Sequence, residues 1–325
     1  TTAVTVTCSR MSAPKLAVAR LPSARKTFLV GLDGSNLSFR ALRLAAALAD
    51  DMKDNVVVVH VSDKLDEKML QSKVSDTLLH AGIQVRRQAF EIVECSGEWT
   101  IAGTLIYLAN HIAKGTGVLV LGAAGKAGEE HGRAGPKGQL PMGSVALTCQ
   151  EVCKVPVVIV KSTHSPITMP DVRRGMRPSC SGNPNGLLYV VCIDGSNLAR
   201  MAFDTAVLFA KRQDSIHLLH IRDSGRSVTS FADDTEKMKS MYEAECTKLV
   251  SLRVVKSAIF VVVPQSQSIK DHIMEYVDST MCDLVILGSV ELSKSTRKFK
   301  LGSVCSSVSR ESAAHACIVK NFNVA

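Results

Sequence analysis

Large rings are scarce in this sequence: Phe, Trp and Tyr make up 4% of its 325 residues, with a single tryptophan. The interior must be filled by Val, Ile, Leu and Ala, and the 46% hydrophobic share supplies them. Such cores suit parallel β/α structure, whose buried strands read as unbroken aliphatic runs. Ten cysteines are present (Cys8, Cys95, Cys149, Cys153, Cys180, Cys192, Cys246, Cys282, Cys305 and Cys317) but no Cys-x-x-Cys pair. Cys149 and Cys153 share an expected helix face, with no second Cys or His pair at zinc spacing. They read as free thiols in a reducing compartment, and no metal site is assigned. No apolar run approaches the ~18 residues that crossing a bilayer requires. A GxxxxGK(S/T) loop and a complete GxGxxG are both missing, which sets aside P-loop ATPases and dinucleotide dehydrogenases.

Acids are missing from the first 26 residues, which hold Arg10, Lys15, Arg20, Arg25 and Lys26. The chain starts with Thr1, and Met11 is a second candidate start. The segment reads as a basic tail, disordered or serving organellar targeting. Residues 162–186 add Arg173, Arg174 and Arg177 against Asp171 and contain four prolines, so they read as a linker. These two segments carry seven of the nine net positive charges. The remaining bodies, 27–161 and 187–325, are close to neutral. A nucleic-acid protein concentrates charge on a folded face with aromatics between, so no specific nucleic-acid partner is expected, and no membrane.

What is present is a repeat. FLVGLDGSN at 28–36 recurs as YVVCIDGSN at 189–197, and VVVVHV at 56–61 as IHLLHI at 216–221. GVLVLG at 117–122 recurs as DLVILG at 283–288, and the block 143–161 as 302–320, both opening Gly-Ser-Val. Four blocks in one order at nearly constant offset mark two copies of one unit. In each, short aliphatic runs alternate with helical spacing, as Leu37, Ala41, Leu44, Ala45 and Leu48 show. Strands are predicted near 28–33, 56–61, 84–93, 118–122 and 156–161, then near 187–193, 216–221, 254–263, 283–288 and 316–320. Helices fall between them. Alternating strands and helices make βαβ units, a parallel sheet and helices on both faces.

Ligands of such sheets bind beyond the carboxyl ends of the strands, so the residues there are the candidates. Asp33-Gly34-Ser35 follows the first strand. Its carboxylate suits sugar hydroxyls, and the same residues also read as a helix cap. Gly122-Ala-Ala-Gly125 follows the fourth strand, and Gly143-Ser144-Val145 opens a helix. Glycines let backbone approach a phosphate, and a helix start adds N–H donors. His60 and His220 end the second strands and read as buried, hydrogen-bonded fold residues. Ser35 and Ser196 lack a GxSxG elbow, so no catalytic residue is assigned. Trp99 reads as packing at a helix start, and the sequon Asn36-Leu37-Ser38 carries no weight without secretion.

These motifs resemble those of the universal stress protein family. Its domains carry a first strand ending in Asp-Gly-Ser, a second ending in His-Val, and a Gly-x2-Gly-x9-Gly-Ser/Thr signature. The resemblance implies two tandem flavodoxin-like (adenine nucleotide α-hydrolase-like) domains. Each would have a five-stranded parallel sheet of order 3-2-1-4-5. It implies ATP or AMP as ligand, with magnesium as a companion ion. It places Asp33 at the ribose, backbone near Val61 at adenine, and Gly122, Gly125, Gly143, Ser144 and Val145 at the phosphates. In the second domain it implies Asp194, Ile221, Gly288, Gly302, Ser303 and Val304. It also implies pairing through the last strands, between the repeats or between two chains.

The sequence departs from that pattern. Seventeen residues, not nine, separate Gly125 from Gly143, and Glu291 stands at the second glycine position of the second domain. A carboxylate repels phosphate oxygens, with Lys294, Arg297, Lys298 and Lys300 as candidate offsets. The expectation is a cytoplasmic regulatory stress-response protein. It would bind nucleotide mainly in its first domain, hydrolyse ATP slowly at most, and act on an unidentified protein partner. The alternative is a scaffold of the same fold without nucleotide. An adenylating ligase is disfavoured, because Asp33-Gly34-Ser35-Asn36 is not a Ser-Gly-Gly pyrophosphate loop.

Overall fold

The computed structural model describes residues 4–6, 25–61, 67–93, 100–112, 117–125, 128, 141–162, 186–222, 228–289 and 301–320. The chain divides into two compact units, the first holding the described residues up to 162 and the second those from 186. Among the described residues, no helix is long and apolar enough to cross a membrane.

In the first unit the strands are β1 (Val4–Val6), β2 (Thr27–Leu32), β3 (Asn55–Val61), β4 (Gln88–Val93), β5 (Gly117–Gly122) and β6 (Val157–Val160). The helices are α1 (Asn36–Leu48), α2 (Glu67–His80), α3 (Ile101–Ile112) and α4 (Ser144–Val152). All strand pairs are parallel, in the order β1-β4-β3-β2-β5-β6. The second unit has β7 (Leu188–Cys192), α5 (Asn197–Phe209), β8 (Ser215–Arg222) and α6 (Val228–Ser251). Then come β9 (Ser257–Pro264), α7 (Ile269–Thr280), β10 (Leu284–Gly288), α8 (Ser303–Glu311) and β11 (His315–Val319). Its parallel order is β9-β8-β7-β10-β11. Both units therefore carry the expected 3-2-1-4-5 order.

Unbroken aliphatic runs fold this way because both sheet faces are covered. Val56, Val57, Val58 and Val59 of β3 are all fully buried. Leu29, Val57, Leu105, Leu119, Cys149 and Ile159 share one core in the first unit. Val190, Leu219, Ile273, Val285, Val308 and Ile318 do so in the second. Each unit also buries one aspartate before its second strand. Asp54 receives the Arg25 guanidinium at 3.3 Å and the Asp50 N–H at 2.9 Å. Asp214 accepts from the Leu187 and Lys211 N–H groups at 2.8 and 2.7 Å and from the Tyr189 hydroxyl at 3.1 Å. Burial holds the Asp214 carboxyl above the usual carboxylate range, and its three donors offset part of that.

Two sequence expectations change. Residues 1–26 are predicted to be a tail, yet Val4, Thr5 and Val6 pair in parallel with Glu91, Ile92 and Val93. β-Branched residues suit that edge, whose outward backbone groups need partners. Residues 1–3 and 7–24 and the linker 163–185 lie outside the described residues. The strand predicted over 84–93 starts only at Gln88, after a 3-10 turn at Val85–Arg87. The Arg87 N–H closes that turn on Gln84 O at 2.8 Å, and α2 ends just before it. The Gly82 N–H reaches Leu79 O and the Ile83 N–H reaches Leu78 O, with Gly82 left-handed at φ 81°. This is the double bond of a Schellman cap.

The same cap recurs with Arg253 after α6 (φ 56°) and Met281 after α7 (φ 51°), where the backbone favours glycine. An L-residue there costs about 1–2 kcal/mol of backbone strain. Met281 is three-quarters exposed, so little packing is at stake. Met281→Gly is expected to stabilise the chain by up to about 1 kcal/mol in urea unfolding, part of the gain being returned as unfolded-chain entropy. Gly186→Ala is expected to cost about 3 kcal/mol or more, a large value reserved for named clashes. Its φ is 76° and a Cβ would sit 1.9 Å from Gln213 O.

Candidate functional site

The carboxyl ends of β2 and β5 are where the chain of the first unit reverses its direction of travel across the sheet. Open α/β sheets form their ligand crevices at such points. Asp33 leaves β2 there. Its Oδ1 accepts the Ser35 N–H at 3.0 Å, Gly34 turns left-handed at φ 82°, and Ser35 Oγ accepts the Ser38 N–H at 3.1 Å. Ser35 is thus the N-cap of α1. The second unit repeats this, with Asp194 accepting from Ser196 N–H at 2.9 Å, Gly195 at φ 81° and Ser196 capping α5 at 3.1 Å. Aspartate forms the turn and serine the cap, so the repeated triplet has a local structural cause.

Beyond that cause, the triplet meets the glycines. A Cβ on Gly125 would lie 2.6 Å from Asp33 Oδ2, so the loop after β5 passes directly over the carboxylate. A Cβ on Gly122 would lie 2.9 Å from Leu37 Cβ, and glycine there lets α1 pack on the strand end. The Gly143 N–H donates to Ala123 O at 2.8 Å, and the Ala123 N–H to Val160 O at 2.7 Å. These two bonds fasten the start of α4 to the loop and the loop to β6. Gly143 is the N-cap of α4 and supplies no side-chain acceptor to its first turn. Those N–H groups, with the exposed Ser144 hydroxyl, are donors available to an anion. Val145 and Val61 are half-buried against the core.

The structure therefore brings Asp33, Gly122, Gly125, Gly143 and Ser144 to one end of the sheet, with Val61 on the adjacent strand β3. His60 fastens that strand, its Nδ1 lying 2.6 Å from Leu32 O at the end of β2. His220 does the same at Ile193 O, at 2.8 Å. Both histidines are hydrogen-bonded as expected, but only His60 is buried, His220 being half-buried. Of the loop inserted between Gly125 and Gly143, residues 126, 127 and 129–140 lie outside the described residues, as do Trp99 and Glu291 with the cations near it.

The second site differs in its described part. Asp194 is exposed where Asp33 is half-buried. Gly288 is pressed on the Leu198 backbone, where a Cβ would come within 2.7 Å. Gly302 caps α8 without a side-chain bond, and a Cβ there would meet nothing within 4 Å. Ser303 is exposed, and Val304 and Ile221 pack partly on the core. The Cys305 thiol donates to Gly288 O at 3.2 Å.

Sequence reasoning passed over one pair of residues. Lys161 and Lys320 directly follow β6 and β11 and are 3% and 8% exposed. They stand at the same strand ends as the glycine loops, where a cation suits an anion site. Their signal was the Ile-Val-Lys that closes both repeats.

Comparisons place these features in a wider group. The model of the Universal stress protein family matches residues 24–161 and again 189–320. Among solved structures, the chain is similar to a universal stress protein from Archaeoglobus fulgidus DSM 4304 at 18% identity. That match covers 91% of this chain and 98% of that one, with a TM-score of 0.60. A universal stress protein from Lactobacillus plantarum is similar at 20% identity over 42% of this chain and 99% of that one, TM-score 0.34. A universal stress protein family protein from Arabidopsis thaliana, with AMP bound, is similar at 15% identity over 42% of this chain and 93% of that one, TM-score 0.30. No curated protein sequence matches at a significant level.

Thiol chemistry gives a test of this geometry. Burial pushes the Cys305 and Cys246 thiols up to about 11, and Cys282 further still. The thiolate is the reacting form, and it is rare at neutral pH when the pKa is raised. Iodoacetamide alkylation of these three at pH 7.5, followed by mass spectrometry, is expected to be more than about tenfold slower in native than in urea-unfolded chain. Equal rates would show that these side chains are not buried as described.

Proposed function

Since the chain belongs to the universal stress protein family, we propose that its first unit binds an adenine nucleotide, ATP or AMP, as a regulatory signal. The phosphates lie on the first-turn N–H groups of α4 and the Ser144 hydroxyl. The Asp33 carboxylate takes the ribose hydroxyls, and backbone at Val61 faces the base. Magnesium accompanying ATP is held mainly by the phosphates, as hard cations with few protein ligands are. The observation that carries this reading is the seating of Gly125 over Asp33, together with the bond from Gly143 to the same loop. A ribose and a phosphate on one nucleotide need both groups at one strand end.

The second unit binds nucleotide weakly or not at all, because Glu291 stands at its second glycine position. Its contribution is support for the first unit and a surface for a protein partner. Pairing through residues 155–160 and 316–319, within the chain or between chains, belongs to the same proposal. So do a cytoplasmic location and a role in the stress response. One observation favours the rival reading, a scaffold without nucleotide. The cap and turn already account for Asp33 and Ser35.

Calorimetry with AMP and ATP on the full chain separates the two. Gly143→Asp is a clean variant, since φ is −70° and a Cβ would meet its nearest atom at 3.7 Å. Aspartate is a favoured N-cap and suits the helix dipole, so the fold is expected to be kept or slightly stabilised. Its carboxylate takes the phosphate's place, and binding is expected to vanish. Gly302→Asp is expected to leave binding unchanged. Asp33→Ala is expected to weaken it about tenfold, by loss of charge-assisted hydrogen bonds. No saturation at millimolar nucleotide would leave the scaffold reading.

A further inference from the structure

The third strand of the sheet is treated differently in the two units. In the first, all six residues of β4 are buried, and β1 pairs along its outer edge. In the second, β9 ends the sheet, and among the described residues no strand lies outside it. All eight of its residues pair with β8 on the inner side. None is buried, and Ile259 is 44% exposed. The histidine register equates the two strands: His60 lies opposite Ile92, and His220 opposite Val262. The residues that β1 covers, Glu91 to Val93, therefore correspond to Val261 to Val263.

Natural edge strands are shortened, bulged or charged to stop other strands adding to them. β9 is eight residues long and reads Ser-Ala-Ile-Phe-Val-Val-Val-Pro, with no charge and only its last residue a proline. Every second residue directs N–H and C=O groups outward, as parallel pairing on one side requires. In the stretch before the strand, Val250 and Leu252 are 39% and 64% exposed. We propose that the outer edge of β9 pairs with the same edge of a second copy of this chain. The two strands run antiparallel about a two-fold axis. Self-pairing follows from the lack of charge, which leaves nothing to repel an identical strand or to select a different one. A two-fold contact also satisfies the outward groups of both copies at once and closes without forming a filament. The pairing is independent of nucleotide.

Sedimentation velocity of the full chain over a concentration series tests this, beside hydrogen exchange of residues 257–264 in the same samples. The expected result is reversible dimer formation with protection of 257–264 that rises in step. Ile259→Lys sets two like charges close to the axis and is expected to weaken the dimer about tenfold or more. Leu208→Lys, at a residue 41% exposed on α5, is expected to change nothing. Hydrogen exchange of the unaltered chain keeps the test valid if a variant folds poorly. A monomer at every concentration would overturn the proposal, and so would a dimer indifferent to Ile259→Lys. Full protection of 257–264 at the lowest concentration would also overturn it, because a segment of the same chain would then cover the edge.

Discussion

A parallel sheet covered on both faces can offer polar groups only where its strands end, and this constraint arranges the rest of the molecule. Most strands here are aliphatic, as in the four fully buried valines of β3, with Glu91 of β4 and His217 of β8 as exceptions. Most polar residues are forced to the two rims. At the amino rim, Asp54 and Asp214 collect backbone and side-chain donors and hold the turns into the second strands. At the carboxyl rim stand the aspartates, the glycine loops, the buried lysines and the uncapped starts of α4 and α8. The proposed nucleotide site uses this rim.

Repetition separates what the fold needs from what a ligand would need. The Asp-Gly-Ser turn has nearly the same hydrogen bonds and the same left-handed glycine in both units, and so do the histidine ties of the second strands. Those features answer to the fold. The surroundings of the aspartates do not repeat. Asp33 is half-buried under Gly125, whereas Asp194 is exposed. On the proposed reading, that difference follows from a ligand site kept in the first unit. The sheet edges diverge as well: β1 borders β4, whereas among the described residues no strand lies outside β9.

Much of this was legible in the sequence, for physical reasons. Aliphatic runs and helical spacing leave a periodic trace, so nearly every element could be read from the repeat and its blocks, while the strand order came from the family resemblance. Val4–Val6 could not be read, because three residues carry too short a pattern. The late start of β4 was hidden because the 3-10 turn at Val85–Arg87, which follows the cap at Gly82, closes on a backbone bond that apolar spacing does not record. The same cap is harder still to see at Arg253 and Met281, where no glycine marks it. At the site, the identities of Asp33, Gly122, Gly125 and Gly143 were legible. The packing of Gly125 over Asp33 was not, since it depends on a loop meeting a strand end 92 residues away in the chain. Lys161 and Lys320 were passed over because a lysine closing a strand usually reads as solvated surface.

The central claim is that the first carboxyl rim is a nucleotide site and the second is not. A crystal structure of the full chain grown with AMP tests it most directly. The account requires AMP in the first unit alone, its phosphate at the first turn of α4 and its ribose hydroxyls on Asp33. Nucleotide seated in the second unit, or at neither rim under saturating AMP, would contradict it.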